Sequence, residues 1–223
     1  MCINSTCIRR ADGVAIKNGL QAVLLIALLI SVLINCVEKK QDLISAAKNG
    51  NTPVLKVLLN GGSNVNMKDE YGWTPLLWAA IQGHSAAAQA LIDAGADINA
   101  PNDEEWTPLI AAALQGHTQV LRTLVAAGAD LDAEDEDGTA LMKASMRGSF
   151  ASVRILLDAG ADPNIGLYTP LLEAAVYGHL STLKILLDAG ADTKPKFIDS
   201  KLIGALPAAA FYGFADIAEA LLK

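Results

Sequence analysis

The sequence predicts an all-α fold, a solenoid of about six helix-turn-helix units with hairpin tips, preceded by an N-terminal hydrophobic helix. The first observation behind this is a self-similar unit of roughly 33 residues. It is clearest in TPLLWAAIQGH from Thr74, TPLIAAALQGH from Thr107, TALMKASMRGS from Thr139 and TPLLEAAVYGH from Thr169. The second is a half-motif that recurs in step downstream, as LIDAGADIN, LVAAGADLD, LLDAGADPN and LLDAGADTK. The third is composition. Hydrophobic residues make up 52% of the chain but aromatic ones only 5%, so Ala and Leu must supply most of the core. That mix favours closely packed short helices over strands.

Taken in order, the units run about 41–73, 74–106, 107–138, 139–168, 169–203 and 204–223. The first is degenerate (QDLISAAKNGN, then LLNGGSNVN), and the last, GALPAAAFYGF, stops within its second helix. Thr74, Thr107, Thr139 and Thr169 are placed to cap the first helix of their units, each hydroxyl accepting an orphan N–H. Pro75, Pro108 and Pro170 follow at the first helical position, where a missing N–H costs nothing. The pairs Ala79–Ala80, Ala112–Ala113 and Ala174–Ala175 let neighbouring helices approach closely. Gly83, Gly116, Gly148, Gly178 and Gly213 end the first helix at left-handed dihedrals, and Gly62, Gly95, Gly128, Gly160 and Gly190 end the second. The spacing is irregular twice. From Gly160 to Thr169 there are three fewer residues than from Gly95 to Thr107, so that tip must be clipped. From Gly190 to Gly204 there are two more, in a basic and irregular loop containing TKPKFIDSKLI.

This pattern resembles the ankyrin family, whose repeat of about 33 residues pairs two helices with a β-turn and opens on T-P-L-H-x-A. The resemblance covers four full units and a degenerate one at each end. The chain departs from it at the His, which is replaced by Leu77, Ile110, Met142 and Leu172. Each unit thereby loses the Thr–His hydrogen bond that the resemblance implies and gains apolar contact. The resemblance also implies that partners touch the hairpin tips and the first helices, on a concave face. The fifth motif position gives Trp78, Ala111, Lys143, Glu173 and Ala208, and the ninth gives Gln82, Gln115, Arg147, Tyr177 and Tyr212. Those that break the Ala/Leu monotony are the candidate partner-binding residues: Trp78, Gln82, Gln115, Lys143, Arg147, Glu173, Tyr177 and Tyr212. Large aromatic and Arg side chains are typical interface anchors, but plain surface is an equally open reading for Trp78, Arg147 and Tyr177. Trp73 and Trp106, each just before a cap, read as packing between neighbouring hairpins.

From Asn18 to Val37 run twenty residues without a charge, built around GLQAVLLIALLISVLI. A signal peptide has a positive leader and an apolar stretch of about 7–15 residues. A spanning helix needs about 20. A helix packed on the solenoid would show one apolar stripe, whereas here apolar side chains cover every face. Leu33-Ile34-Asn35-Cys36 resembles a bacterial lipoprotein processing site, which makes Cys36 the lipidated first residue of the mature protein. Asn35 departs from the small residue usual before that Cys. The competing reading is an uncleaved anchor in a single-pass membrane protein. Residues 1–36 are thus a signal peptide or membrane anchor, and 37–223 the repeat domain. Arg9, Arg10 and Lys17 against Asp12 leave residues 1–36 at +2, while Glu38, Lys39, Lys40 and Asp42 cancel. The positive-inside rule then puts the repeats outside the cytoplasm, in the bacterial periplasm or cell envelope.

The formal charge of the whole chain is −7, so residues 37–223 carry −9. Phosphate backbones repel so acidic a domain, which excludes nucleic acid as a partner. Cys2, Cys7 and Cys36 precede the repeats, in spacings that fit no zinc site. His84, His117 and His179 share one unit position, directly after the glycine ending the first helix. Equivalent residues of packed helices lie about 8–10 Å apart, too far to share a metal, so these histidines read as bonding nearby backbone. Ser85 and Ser181 lack a base and an orienting acid. Acidic runs fall at the tips, as Asp69–Glu70, Asp103–Glu104–Glu105 and Glu134–Asp135–Glu136–Asp137, without the spacing of a calcium loop. They read as solvated surface, or as a docking strip for a basic partner. No catalytic, cofactor or metal residue is assigned, and the chain is not expected to be an enzyme. The expected function is a membrane-tethered, monomeric scaffold that binds an unidentified protein through its concave face and hairpin tips. The alternative is a structural or protective cell-envelope protein without a discrete partner.

Overall fold

Each capped apolar stretch of the sequence becomes a short helix, and the helices come in pairs. The computed structural model describes residues 43–222 except 167, 195, 199 and 200, and only the backbone of 196–198 and 201–203. The apolar run before Cys36, and Cys36 itself, lie outside the described residues. In chain order α1 covers 43–48 and α2 Thr52–Asn60; α3 Pro75–Ile81 and α4 Ser85–Asp93; α5 Pro108–Gln115 and α6 Thr118–Ala126. Then come α7 Ala140–Met146 and α8 Phe150–Asp158; α9 Pro170–Val176 and α10 Leu180–Asp188; α11 Ala205–Tyr212 and α12 Ala215–Leu221. These are the twelve helices, and six pairs, of an all-α repeat fold among the described residues. None of them is long and apolar enough to cross a membrane.

First helices pack on first helices, α3 on α5, α5 on α7, α7 on α9 and α9 on α11. Second helices form a parallel layer, α2 on α4, α4 on α6, α6 on α8, α8 on α10 and α10 on α12. The core between the layers is made of Leu and Ala, with Leu76, Leu91, Leu109, Leu121, Leu141 and Leu156 almost wholly buried. The threonine caps form as the motif dictates, each hydroxyl accepting the N–H three residues on: Thr74 from Leu77 (3.1 Å), Thr107 from Ile110 (3.3 Å), Thr139 from Met142 (3.3 Å) and Thr169 from Leu172 (3.4 Å). The side chains standing where the family has His are all buried, so the apolar contact expected of them is made.

A ladder of side chains joins the hairpin tips. The backbone N–H of Asp97 donates to Asn66 Oδ1 (2.8 Å), that of Asp130 to Asn99 Oδ1 (2.9 Å), that of Asp162 to Asp132 Oδ1 (3.0 Å) and that of Asp192 to Asn164 Oδ1 (2.7 Å). The rungs continue past the clipped tip, so the missing residues shorten the tip without breaking the stack. Two small antiparallel hairpins depart from a purely helical fold. Strands β1 (Glu134–Asp135) and β2 (Gly138–Thr139) pair at one tip. Where the sequence suggested an irregular loop after Gly190, β3 (Lys196–Ile198) pairs with β4 (Lys201–Ile203), with Lys196 opposite Ile203. The segments KFI and KLI supply the aromatic and β-branched residues that favour such pairing.

Candidate functional site on the first-helix face

The tips are held by an Asx residue that also reaches the fifth motif position. Asp69 Oδ1 accepts the backbone N–H groups of Tyr71 (3.0 Å) and Trp73 (2.9 Å), and its Oδ2 accepts from Trp78 Nε1 (2.9 Å). One unit on, Asn102 Oδ1 takes the N–H groups of Glu104 (3.0 Å) and Trp106 (2.8 Å). The first helix that follows it has only Ala111 at the fifth position, and Asn102 Nδ2 is buried without a partner. In the next unit Asp135 Oδ1 accepts from the Asp137 N–H (2.9 Å) and lies 3.1 Å from Lys143 Nζ, which also bonds Asp137 Oδ2 at 3.2 Å. Residue types at the fifth position thus follow the Asx they face: an indole N–H or an ammonium on a carboxylate.

This pairing changes two readings of the sequence. Lys143 is buried, at 5% exposure, so it cannot serve as a freely presented contact, and Asp135 is turned inward from an acidic run that read as surface. A desolvated ammonium requires a counter-charge, and the tip provides it. Trp78 is half-buried, stacked on Trp73 at 4.6 Å between ring centroids, with Lys48 Nζ 4.1 Å from its ring centroid. Trp73 lies 6.1 Å from Trp106, which is the packing between hairpins that the sequence suggested.

The ninth motif position behaves differently. Gln82, Gln115, Arg147, Tyr177 and Tyr212 are all exposed, at the ends of five successive first helices. Arg147 also has an internal role, its Nε donating to the Leu114 carbonyl at 3.0 Å. The reason lies in the histidines. His84 Nε2 bonds the Lys48 carbonyl (3.1 Å), His117 that of Ile81 (3.1 Å) and His179 that of Met146 (3.0 Å). Each imidazole therefore ties the start of a second helix to the end of the preceding unit's first helix, rather than to its own turn. Leu114 is the equivalent carbonyl in the one regular interface where the His position holds Ser149, and Arg147 takes over as its donor. The sequence carried this signal as an Arg two residues before the missing His.

Glu173, the remaining fifth-position candidate, has no tip partner. Counting three residues on from the ladder residues Asn66, Asn99 and Asp132 gives Asp69, Asn102 and Asp135, but from Asn164 it gives Leu167. The Glu173 carboxylate is half-buried and makes no hydrogen bond or ion pair among the described residues. Burial raises its pKa above the ordinary 4.5, an effect that the nearby Lys143 charge opposes. It lines a cavity of about 320 Å³ with Trp106, Leu114, Met142, Met146 and Tyr168, rimmed by Glu136 and Asp137. Among the described residues no group of three or more His, Cys, Asp or Glu side chains is arranged to hold a metal.

The family profile described as "Ankyrin repeats (3 copies)" matches residues 13–102, 43–135, 95–166 and 127–197. The chain belongs to the ankyrin-repeat family. The first of these ankyrin matches also takes in the charge-free segment. Solved ankyrin structures agree with the profile. An ankyrin repeat domain from Acinetobacter baumannii AYE is 34% identical, with a TM-score of 0.74 over 82% of this chain and 96% of that one. EF0377, an ankyrin repeat protein, is 30% identical, with a TM-score of 0.75 over 82% and 97%. The human ASB11 ankyrin repeat domain is 28% identical, with a TM-score of 0.71 over 81% of each chain. No curated protein matches the chain. Ankyrin-repeat domains are generally non-enzymatic scaffolds for protein–protein interaction, and this chain carries such a domain.

Proposed function

We propose that this ankyrin domain seats one protein partner on its first-helix face and hairpin tips while the N-terminal segment holds it at a membrane, outside the cytoplasm. The observation that carries the first half is the exposed ninth-position row, which puts Gln82, Gln115, Tyr177 and Tyr212 on one face at unit spacing. Amides offer adaptable hydrogen bonds, and tyrosines add flat apolar area with few rotamers to freeze, which suits recognition. The second half rests on sequence alone: the charge-free run from Asn18 to Val37, the net positive charge before it, and Cys36 at its end.

A photo-crosslinking residue at Gln115, compared with one at Lys184 on the second-helix layer, tests the binding face in intact cells. The proposal expects one stoichiometric adduct from position 115 and none from 184. Adducts from 184 alone would move the binding surface to the other layer, and none from either would favour a protective envelope role without a discrete partner. For the tether, native and Cys36→Ala proteins are fractionated and their N-termini weighed. A diacyl mass on Cys36 supports lipidation, whereas an intact Met1–Lys17 segment on membrane-extracted protein supports the uncleaved anchor.

A further inference from the structure

We infer that the cavity beside Glu173 is the seat for a cationic side chain of the partner, arginine in preference to lysine. This deepens the proposed scaffold function and rests on it. In the second and fourth units the polar fifth-position side chain is bound by the hairpin tip just before it, Trp78 by Asp69 and Lys143 by Asp135. Before the fifth unit the clipped tip supplies no Asx, so the Glu173 carboxylate has no hydrogen-bond or ion-pair partner among the described residues and keeps a free acceptor in a half-buried site. A carboxylate so placed has lost part of its hydration without a hydrogen bond or ion pair among the described residues in return; burial raises its pKa, and the nearby Lys143 charge opposes the rise. A cation from outside would supply what the tip does not.

The surrounding charges agree. Among the described residues lining the cavity, Glu136, Asp137 and Glu173 stand against one cation, Lys143, and Lys143 is already held by Asp135 and Asp137 at 3.1 and 3.2 Å. Beside it, Asp135 Oδ2 is buried without a donor, so the neighbourhood has carboxylate oxygens to spare. The walls suit a long cationic stem: Met142, Met146 and Leu114 are apolar, while Trp106 and Tyr168 offer aromatic faces. A guanidinium stacks on such faces and grips a carboxylate with two N–H groups, whereas an ammonium is a more strongly hydrated point charge. At about 320 Å³ the space is at the small end of ligand pockets, which run from about 300 Å³. It fits one long side chain rather than a cofactor.

The full chain, labelled at its methionine methyl groups, is titrated with N-acetylarginine N-methylamide, with its lysine analogue, and with the citrulline analogue, which keeps the shape without the charge. The expected result is saturable movement of the Met142 and Met146 signals in the order arginine, lysine, citrulline. Glu173→Gln should weaken the arginine response about tenfold or more. Equal binding of citrulline, an unchanged response in E173Q, or no movement at these methyl groups overturns the inference. Failure of the scaffold function is read separately, on the partner captured at Gln115. If E173Q and Tyr168→Ala leave that capture intact while a Gln82→Arg/Tyr212→Arg variant abolishes it, the arginine seat is wrong and the binding face stands.

Discussion

Lys143→Ala removes the cation that pairs with Asp135 while leaving the carboxylate where the fold has put it. The Asp135 side chain is 1% exposed and that of Lys143 6%, so the stranded carboxylate would retain one donor, the Asp137 N–H. Breaking a buried pair from one side typically costs about 3–5 kcal/mol. The second contact, to Asp137, adds little because that side chain is 83% exposed. We therefore expect Lys143→Ala to lower stability by about 3–5 kcal/mol. Adding Asp135→Asn should recover at least ~2 kcal/mol of this, since it removes the uncompensated charge and leaves only a neutral amide to satisfy. The double variant would reproduce the arrangement that the preceding unit already tolerates, Asn102 with Ala111 at the fifth position. Urea unfolding of the four proteins of the cycle, followed by circular dichroism and by tryptophan fluorescence, measures the coupling. Coincident curves from the two probes are required before free energies are compared, since repeat arrays can lose cooperativity. A single variant within about 1 kcal/mol of the parent, or a double variant as unstable as the single one, would refute the reasoning.

Three further outcomes follow from the geometry. Gly83 and Gly95 both have positive φ, +78° and +85°, but a Cβ at Gly83 would sit 2.7 Å from the His117 ring whereas Gly95 faces open space. Gly83→Ala should therefore lower the melting temperature clearly more than Gly95→Ala, which bears only the left-handed penalty of about 1–2 kcal/mol. Arg147→Ala should cost about 1 kcal/mol by leaving the Leu114 carbonyl without its donor, and adding Ser149→His should restore it; chemical denaturation distinguishes recovery from further loss. Because the pKa of Glu173 is raised by folding, its neutral form is favoured in the native state, so its contribution to stability is fully present below 4.5 and declines as pH rises through the folded value. E173Q should accordingly melt above the parent at neutral pH, and the difference should vanish below that point in a pH series.

Caps, glycines and unit boundaries were readable in the sequence because each acts locally: Thr74 needs only the N–H three residues on, and Gly83 only its own dihedral. The clipped tip was also readable, by counting. What could not be read were bonds across units and within tips. Nothing in EDED marks Asp135 as the member that turns inward, because that choice depends on an ammonium eight residues later being desolvated by its neighbours. The histidine position was visible, but its acceptor lies 33–36 residues away, so the imidazoles read as bonding nearby backbone. Arg147 looked like an interface anchor for the same reason, since only the fold brings the Leu114 carbonyl within its reach. Glu173 was picked out as a break in an apolar pattern, and the structure adds that it has no hydrogen bond or ion pair among the described residues.

The histidine bonds and the rungs between hairpin tips each join a unit to its immediate neighbour. A solenoid tied in this way resists tension applied along its length one interface at a time. Drawn out from its two ends in an optical trap, it should lengthen in discrete steps of roughly 110 Å, the extended span of a single 33-residue repeat. The order of the steps would rank the interfaces by mechanical strength.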